Sequence, residues 1–147
     1  MSSKTKDKGR LPPFVPLLKE TLATPAWIRL SHGAQALFVA LKARYNRTNH
    51  NNGRIYLSQR DARKQLRSGS SQIARWYREL QYYGFIVQTR GGSLGVDGRG
   101  FAPHWRLTEI GYHREDPTRD FMRWNGKPFV DQPARRAKHA DEVPITA

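Results

Sequence analysis

The stretch "SQRDARKQLRSGSSQIARWYRELQYYGFI", residues 58–86, decides how the chain is read. Ser58 has the short hydroxyl of an N-cap, and the helix-favouring run "QRDARKQL" follows it directly. "RSG" at 67–69 breaks that run, and a second helix is predicted over 70–83. At about 100° per residue, Ile73, Tyr77 and Leu80 share one face of it, with Trp76 and Tyr83 on the shoulder. Ser71, Arg75, Arg78 and Tyr82 fall on the opposite face. Gly84 stands where a helix ends in left-handed geometry and lets the chain turn. The apolar side would hold this helix to a core, so its polar side needs a separate reason.

The flanks supply that core. Ser31 is a plausible cap for "HGAQALFVALKARYNRT", in which Ala34, Leu37, Phe38, Leu41 and Tyr45 recur at i, i+3, i+4 and i+7. "NHNNG" at 49–53 ends that helix, and "RIYL" at 54–57 predicts a short strand. Before it, "FVPLLKETLATPAWIRLS" is broken by Pro16 and Pro25, leaving a short helix over 17–22. After Gly84, "FIVQTR" and "FAPHWRLTEI" predict the strands of a hairpin; Trp105 and Leu107 alternate with His104, Arg106 and Thr108. The loop between them, "GGSLGVDGRG", holds five glycines. Short consecutive connections of this kind predict one small α+β domain over 14–108. A flexible basic arm precedes it at 1–13, and an extension follows at 109–147, ending in a tail expected to be disordered.

Of 147 residues 37% are apolar, enough for one compact core with tails. There is no cysteine, which excludes disulfides and thiolate metal sites and makes an intracellular location the default. No apolar run approaches the roughly 20 residues that span a bilayer, and the first residues lack the apolar stretch of a secretory signal. The expectation is a cytoplasmic protein with no membrane partner.

Net charge is +14, and its placement matters more than its size. Residues 54–108 carry ten basic and three acidic groups, net +7, while residues 109–147 carry seven of each. Residues 1–22 add +3 and residues 23–53 add +4. The whole excess therefore lies in 1–108, where it would attract a polyanion such as nucleic acid. No basic amphipathic helix with a Trp/Leu face speaks for an anionic membrane.

The predicted order is helix, short strand, helix, turn, helix and hairpin, which is what a winged helix-turn-helix requires. In that arrangement the second helix of the motif lies in the major groove of double-stranded DNA. Ser70, Ser71, Gln72 and Arg75 would then face base edges and phosphates, because Gln pairs with adenine and Arg with guanine. Arg78, Arg60 and Arg67 complete the predicted contact set on the two helices. The loop over 90–100, flanked by Arg90 and Arg99, would be the wing, touching the backbone or a narrow minor groove. Stacking of single-stranded bases is the weaker alternative, since Tyr82 alone among the clustered aromatics points outward.

The run at 53–86 resembles the helix-turn-helix core of bacterial winged-helix DNA-binding proteins. Pro25-Ala26-Trp27, Leu30-Ser31, residues 43–46 and 51–55, Leu57-Ser58 and residues 105–108 are similar to motifs in small proteins of plasmids, phages and integrated elements. The resemblance covers roughly 23–108, with "TRDFMRW" at 118–124 also similar. It implies a helix-turn-helix regulator of a mobile element or, alternatively, a replication-initiator-like or assembly protein. The turn departs from the family pattern: Leu66 is followed by Arg67, with glycine delayed to Gly69, and His104 stands where Glu is frequent.

Nothing in the chain points to an enzyme. His32, His50, His104, His113 and His139 have no metal-ligand spacing, and Ser70 and Ser71 have no histidine near in sequence. Asp61 and Glu79 read as members of local ion pairs. No cofactor is implied. Phe121, Met122 and Trp124 interrupt a polar extension and are expected to dock on the domain, on a second subunit of a homodimer, or on a protein partner.

Overall fold

The computed structural model of the chain describes residues 9, 11–91 and 102–131. Five helices come first: α1 (Lys19–Leu22), α2 (Pro25–Arg29), α3 (His32–Lys42), α4 (Gln59–Leu66) and α5 (Ser70–Tyr82). Strands β1 (Ile86–Arg90) and β2 (His104–Leu107) follow, then a 3₁₀ turn at Asp120–Arg123. The architecture is α+β, with one antiparallel two-stranded sheet among the described residues, and it is compatible with a winged helix. No helix is long and apolar enough to cross a membrane among these residues.

Hydroxyl caps set the helix starts. Ser31 Oγ accepts from Ala34 N at 3.3 Å, and Ser58 Oγ accepts from Asp61 N at 3.1 Å. Thr24 does the same for Trp27 at 3.2 Å, so "PAWIR" is a helix, although Pro25 reads in the sequence as a break. Proline sits at the first helical position, where its missing N–H is not needed. The helix expected at 17–22 is confined to Lys19–Leu22.

The strand predicted at 54–57 is reduced to a single bridge, Ile55 to Trp105. Ile55 still exchanges backbone hydrogen bonds with Trp105, but at Leu107 a side chain takes the place of a backbone partner. Asn52 Oδ1 accepts from Leu107 N at 2.8 Å, and its Nδ2 donates to Leu107 O at 3.1 Å. A buried amide thus satisfies the groups a ladder partner would have paired.

β1 pairs with β2 in the register Ile86 to Leu107, Val87 to Arg106 and Gln88 to Trp105, with an irregularity before Arg90. The inward side chains Trp105 and Leu107 are buried, as the alternation predicts. Trp27, Phe38 and Phe85 pack edge to face with centroids 5.5–5.7 Å apart. Ile73 and Leu80 anchor α5 to this core, and Tyr77 stacks on Trp105 at 5.1 Å.

The segment after β2 returns to the same core. Phe121 is buried and stacks on Phe85 at 4.7 Å, a burial that contributes about 1.5–3 kcal/mol. Trp124 meets Tyr83 edge to face at 5.3 Å, and Phe129 N donates to the Tyr83 hydroxyl at 3.1 Å. Gly84, at φ +87°, lets this segment pass: a Cβ there would lie 2.8 Å from the carbonyl carbon of Asp120. Glu109 forms a buried ion pair with Lys42 and accepts from the Thr21 hydroxyl, joining α1 and the end of α3 to the residues just after β2.

Candidate nucleic-acid interface

α4 buries Ala62 and turns its cations outward. Arg60, Arg63, Lys64 and Arg67 are all exposed, and they fall at i, i+3, i+4 and i+7. Arg60, Arg63 and Lys64 line a shallow notch of about 320 Å³ with Ser68. Arg63 and Lys64 are additions to the predicted set. Their spacing is visible in the sequence once cations, as well as apolar residues, are placed around the helix axis.

Three residues, 67–69, join α4 to α5. Arg67 itself takes the left-handed position, at φ 52° and ψ 52°, and Ser68 N closes the helix end on Arg63 O at 3.2 Å. The delayed Gly69 is extended, at φ −78° and ψ 167°, and serves as the N-cap of α5. Being glycine, it offers no side-chain cap, unlike Thr24, Ser31 and Ser58. The first amides of α5 therefore open outward at the positive end of the helix dipole, an arrangement suited to an anion. Ser70, Ser71 and Gln72 surround that end and are exposed. Gln59 Nε2 reaches Ser70 O at 3.4 Å across the two helix starts. Arg75, one turn on, is exposed and makes no hydrogen bond or ion pair among the described residues.

The C-terminal half of the same face is occupied. Arg78, predicted to face DNA, instead holds Asp131 with Nε–Oδ1 at 2.7 Å and Nη2–Oδ2 at 3.0 Å. The Tyr82 hydroxyl donates to Lys127 O at 2.7 Å, and its ring lies 5.6 Å from that of Phe129. Tyr82 is thus an anchor for the returning segment rather than an open stacking platform. Glu79 is buried, and its carboxylate accepts from Ser31 N at 3.0 Å and from Ser31 Oγ at 2.6 Å. That contact replaces the local ion pair expected of it and fixes α5 against the start of α3.

Arg90 is exposed at the end of β1. Arg99, with the loop at 92–101, lies outside the described residues, as do most of the basic arm and the tail beyond 131. Tyr77, on the underside of α5, has its hydroxyl pushed up to about 12 by burial, against a smaller lowering from Arg44.

No protein-family model matches the chain, and no curated protein does. Two solved structures are similar over nearly the whole length. One, described as "Structure of MDR initiator", is 18% identical over 97% of each chain, with a TM-score of 0.45. The other, described as "N-Terminal domain of DNA binding protein", is 16% identical over 97% of this chain and 93% of that one, with a TM-score of 0.46. At that level of identity and superposition neither likeness identifies the chain.

Proposed function

We propose that this chain is a sequence-specific double-stranded DNA-binding protein of the winged helix-turn-helix type, acting as a regulator of transcription. The observation that carries the reading is the N-terminal half of α5. Ser70, Ser71, Gln72 and Arg75 are exposed around an uncapped helix start, while Ile73 and Leu80 hold the other side to the core. In this reading Arg75 and Gln72 contact base edges, and the backbone amides at the start of α5 take a phosphate. The cations of α4 lie along the phosphate backbone, and Arg90 and Arg99 serve the wing. Arg78 is assigned to the extension, not to a base. No catalytic chemistry and no cofactor belong to the proposal.

Selection of bound duplexes from random DNA tests it, followed by comparison of Arg75→Ala and Arg60→Ala on the selected site. Arg75→Ala should cost about 1–3 kcal/mol and relax preference at one base position. Arg60→Ala should weaken all duplexes alike. With about six phosphates neutralised, log K should fall against log salt with a slope of about −5. Duplexes bound without preference, or an Arg75→Ala variant that reads the selected site as before, would overturn the proposal.

A further inference from the structure

A second cationic surface lies apart from α5, at the foot of the hairpin. The loop at 49–54 and the turn at 110–115 enclose an open cleft of about 830 Å³. His50, Arg54, His113 and Arg114 line it beside Tyr112, and Glu115 is the acid among the lining residues. Arg54 and Arg114 form no ion pair among the described residues; Arg54 reaches only Asn49 O, at 3.4 Å.

The cleft is held in shape from beneath. Buried Asn52 shares its two Nδ2 protons among Leu107 O, Ile110 O and Gly111 O, the last two at 3.0 Å each, and so pins the two walls together. Gly53, at φ +93°, lets the Tyr112 ring sit directly on its backbone, where a Cβ would lie 2.3 Å from Cε2. The Arg106 guanidinium covers that ring at 5.4 Å from its centroid. His50, His113 and Arg114 all have left-handed backbones, at φ 50°, 51° and 64°. Each such residue costs roughly 1 kcal/mol or more, and strain of this kind persists only where the surroundings enforce it. Four exposed side chains able to donate to an anion therefore line one braced hollow, with Glu115 as the acid among them. Its volume falls in the range of roughly 300–1,000 Å³ that holds small ligands.

We propose that this cleft binds a phosphate-bearing ligand, with Arg54 and Arg114 as the charge partners and the His50 and His113 rings as further donors. A guanidinium matches two phosphate oxygens in its plane, which explains arginine at both positions. The phosphate comes either from a free nucleotide or from the backbone of a nucleic acid. The cleft is separate from the base-reading face of α5 and does not depend on it.

The test compares the full chain with its Arg54→Ala/Arg114→Ala variant, both substitutions being at exposed positions. Inorganic tripolyphosphate and adenosine triphosphate are titrated by calorimetry, and a 20-base-pair duplex is titrated over a salt series. The double variant should weaken at least one probe about tenfold or more, and Arg54→Lys/Arg114→Lys should recover part of the loss. Loss of triphosphate binding assigns the cleft to a free nucleotide. Loss of duplex affinity alone, with the salt slope shallower by about 2, assigns it to the nucleic-acid backbone. The proposal fails if no probe changes while circular dichroism shows an intact fold. It fails equally if Arg75→Ala abolishes tripolyphosphate binding to the same extent. Since Arg75→Ala interrogates α5 alone, failure of the cleft is distinguishable from failure of base reading.

Discussion

Arg78 on α5 and Asp131, 53 positions later, form a two-pronged ion pair that lays the returning segment over the C-terminal half of the helix. The Arg78 side chain is 39% exposed, so after screening by water the pair stabilises the fold by less than about 1 kcal/mol. Its larger effect is on charge. Asp131→Asn should leave the melting temperature nearly unchanged, strengthen duplex binding and steepen the salt slope by about 1. Weaker duplex binding by this variant would mean that Asp131 positions the arginine rather than screening it.

Arg67 predicts a conflict between stability and binding. A non-glycine residue held at φ 52° costs about 1–2 kcal/mol, which glycine would not incur. Arg67→Gly should therefore raise stability by about 1 kcal/mol in urea unfolding, while removing one cation from the α4 face. Duplex affinity should fall and the salt slope should flatten by about 1. A variant that is both less stable and unimpaired in binding would contradict both parts.

The Lys42–Glu109 pair, with side chains 5% and 2% exposed, should behave as a buried pair does. Lys42→Met alone strands the Glu109 carboxylate and should cost about 3–5 kcal/mol. Lys42→Met/Glu109→Leu removes both charges and should recover most of that loss, because desolvation of the pair offsets much of its attraction. Equilibrium unfolding of the three proteins decides the point.

Tyr77 should govern alkaline stability. Its hydroxyl is raised from 10.0 to about 12 in the folded chain by burial, so between those values the unfolded chain gives up its proton first. The folded state then binds more protons than the unfolded one, and stability falls as pH rises through that interval. Below pH 10 the contribution is constant. Tyr77→Phe should flatten the fall seen in unfolding measured across this range, at a cost of about 0.5–1.5 kcal/mol at neutral pH for the lost bond to Leu57 O.

Much of the fold is legible in the sequence because its signals are local. Ser31 and Ser58 announce helix starts through hydroxyls three residues from their partners, and Ile73 and Leu80 mark the buried side of α5 by period alone. What the sequence conceals is set by distant contacts. Asn52 cuts a strand down to one bridge by imitating backbone toward Leu107, 55 positions away. Glu79 answers Ser31 across 48 positions, and no charge pattern within α5 reveals it. The candidate site divides the same way. Exposure of Ser71 and Arg75 follows from helix phase, whereas the engagement of Arg78 depends on where the chain returns. The left-handed Arg67 is hidden for a different reason: the nearby Gly69 is the residue suited to such a turn, yet it is extended.

The parallel rings of Phe85 and Phe121 bear on how the molecule can be cut. A version ended at 108 would uncover the flat side of Phe85 and remove Glu109 from beside Lys42, so it would test folding before it tested any role of the extension. Shortened proteins meant to separate DNA contact from anything the tail does should keep every residue through 131 and begin their deletions beyond it.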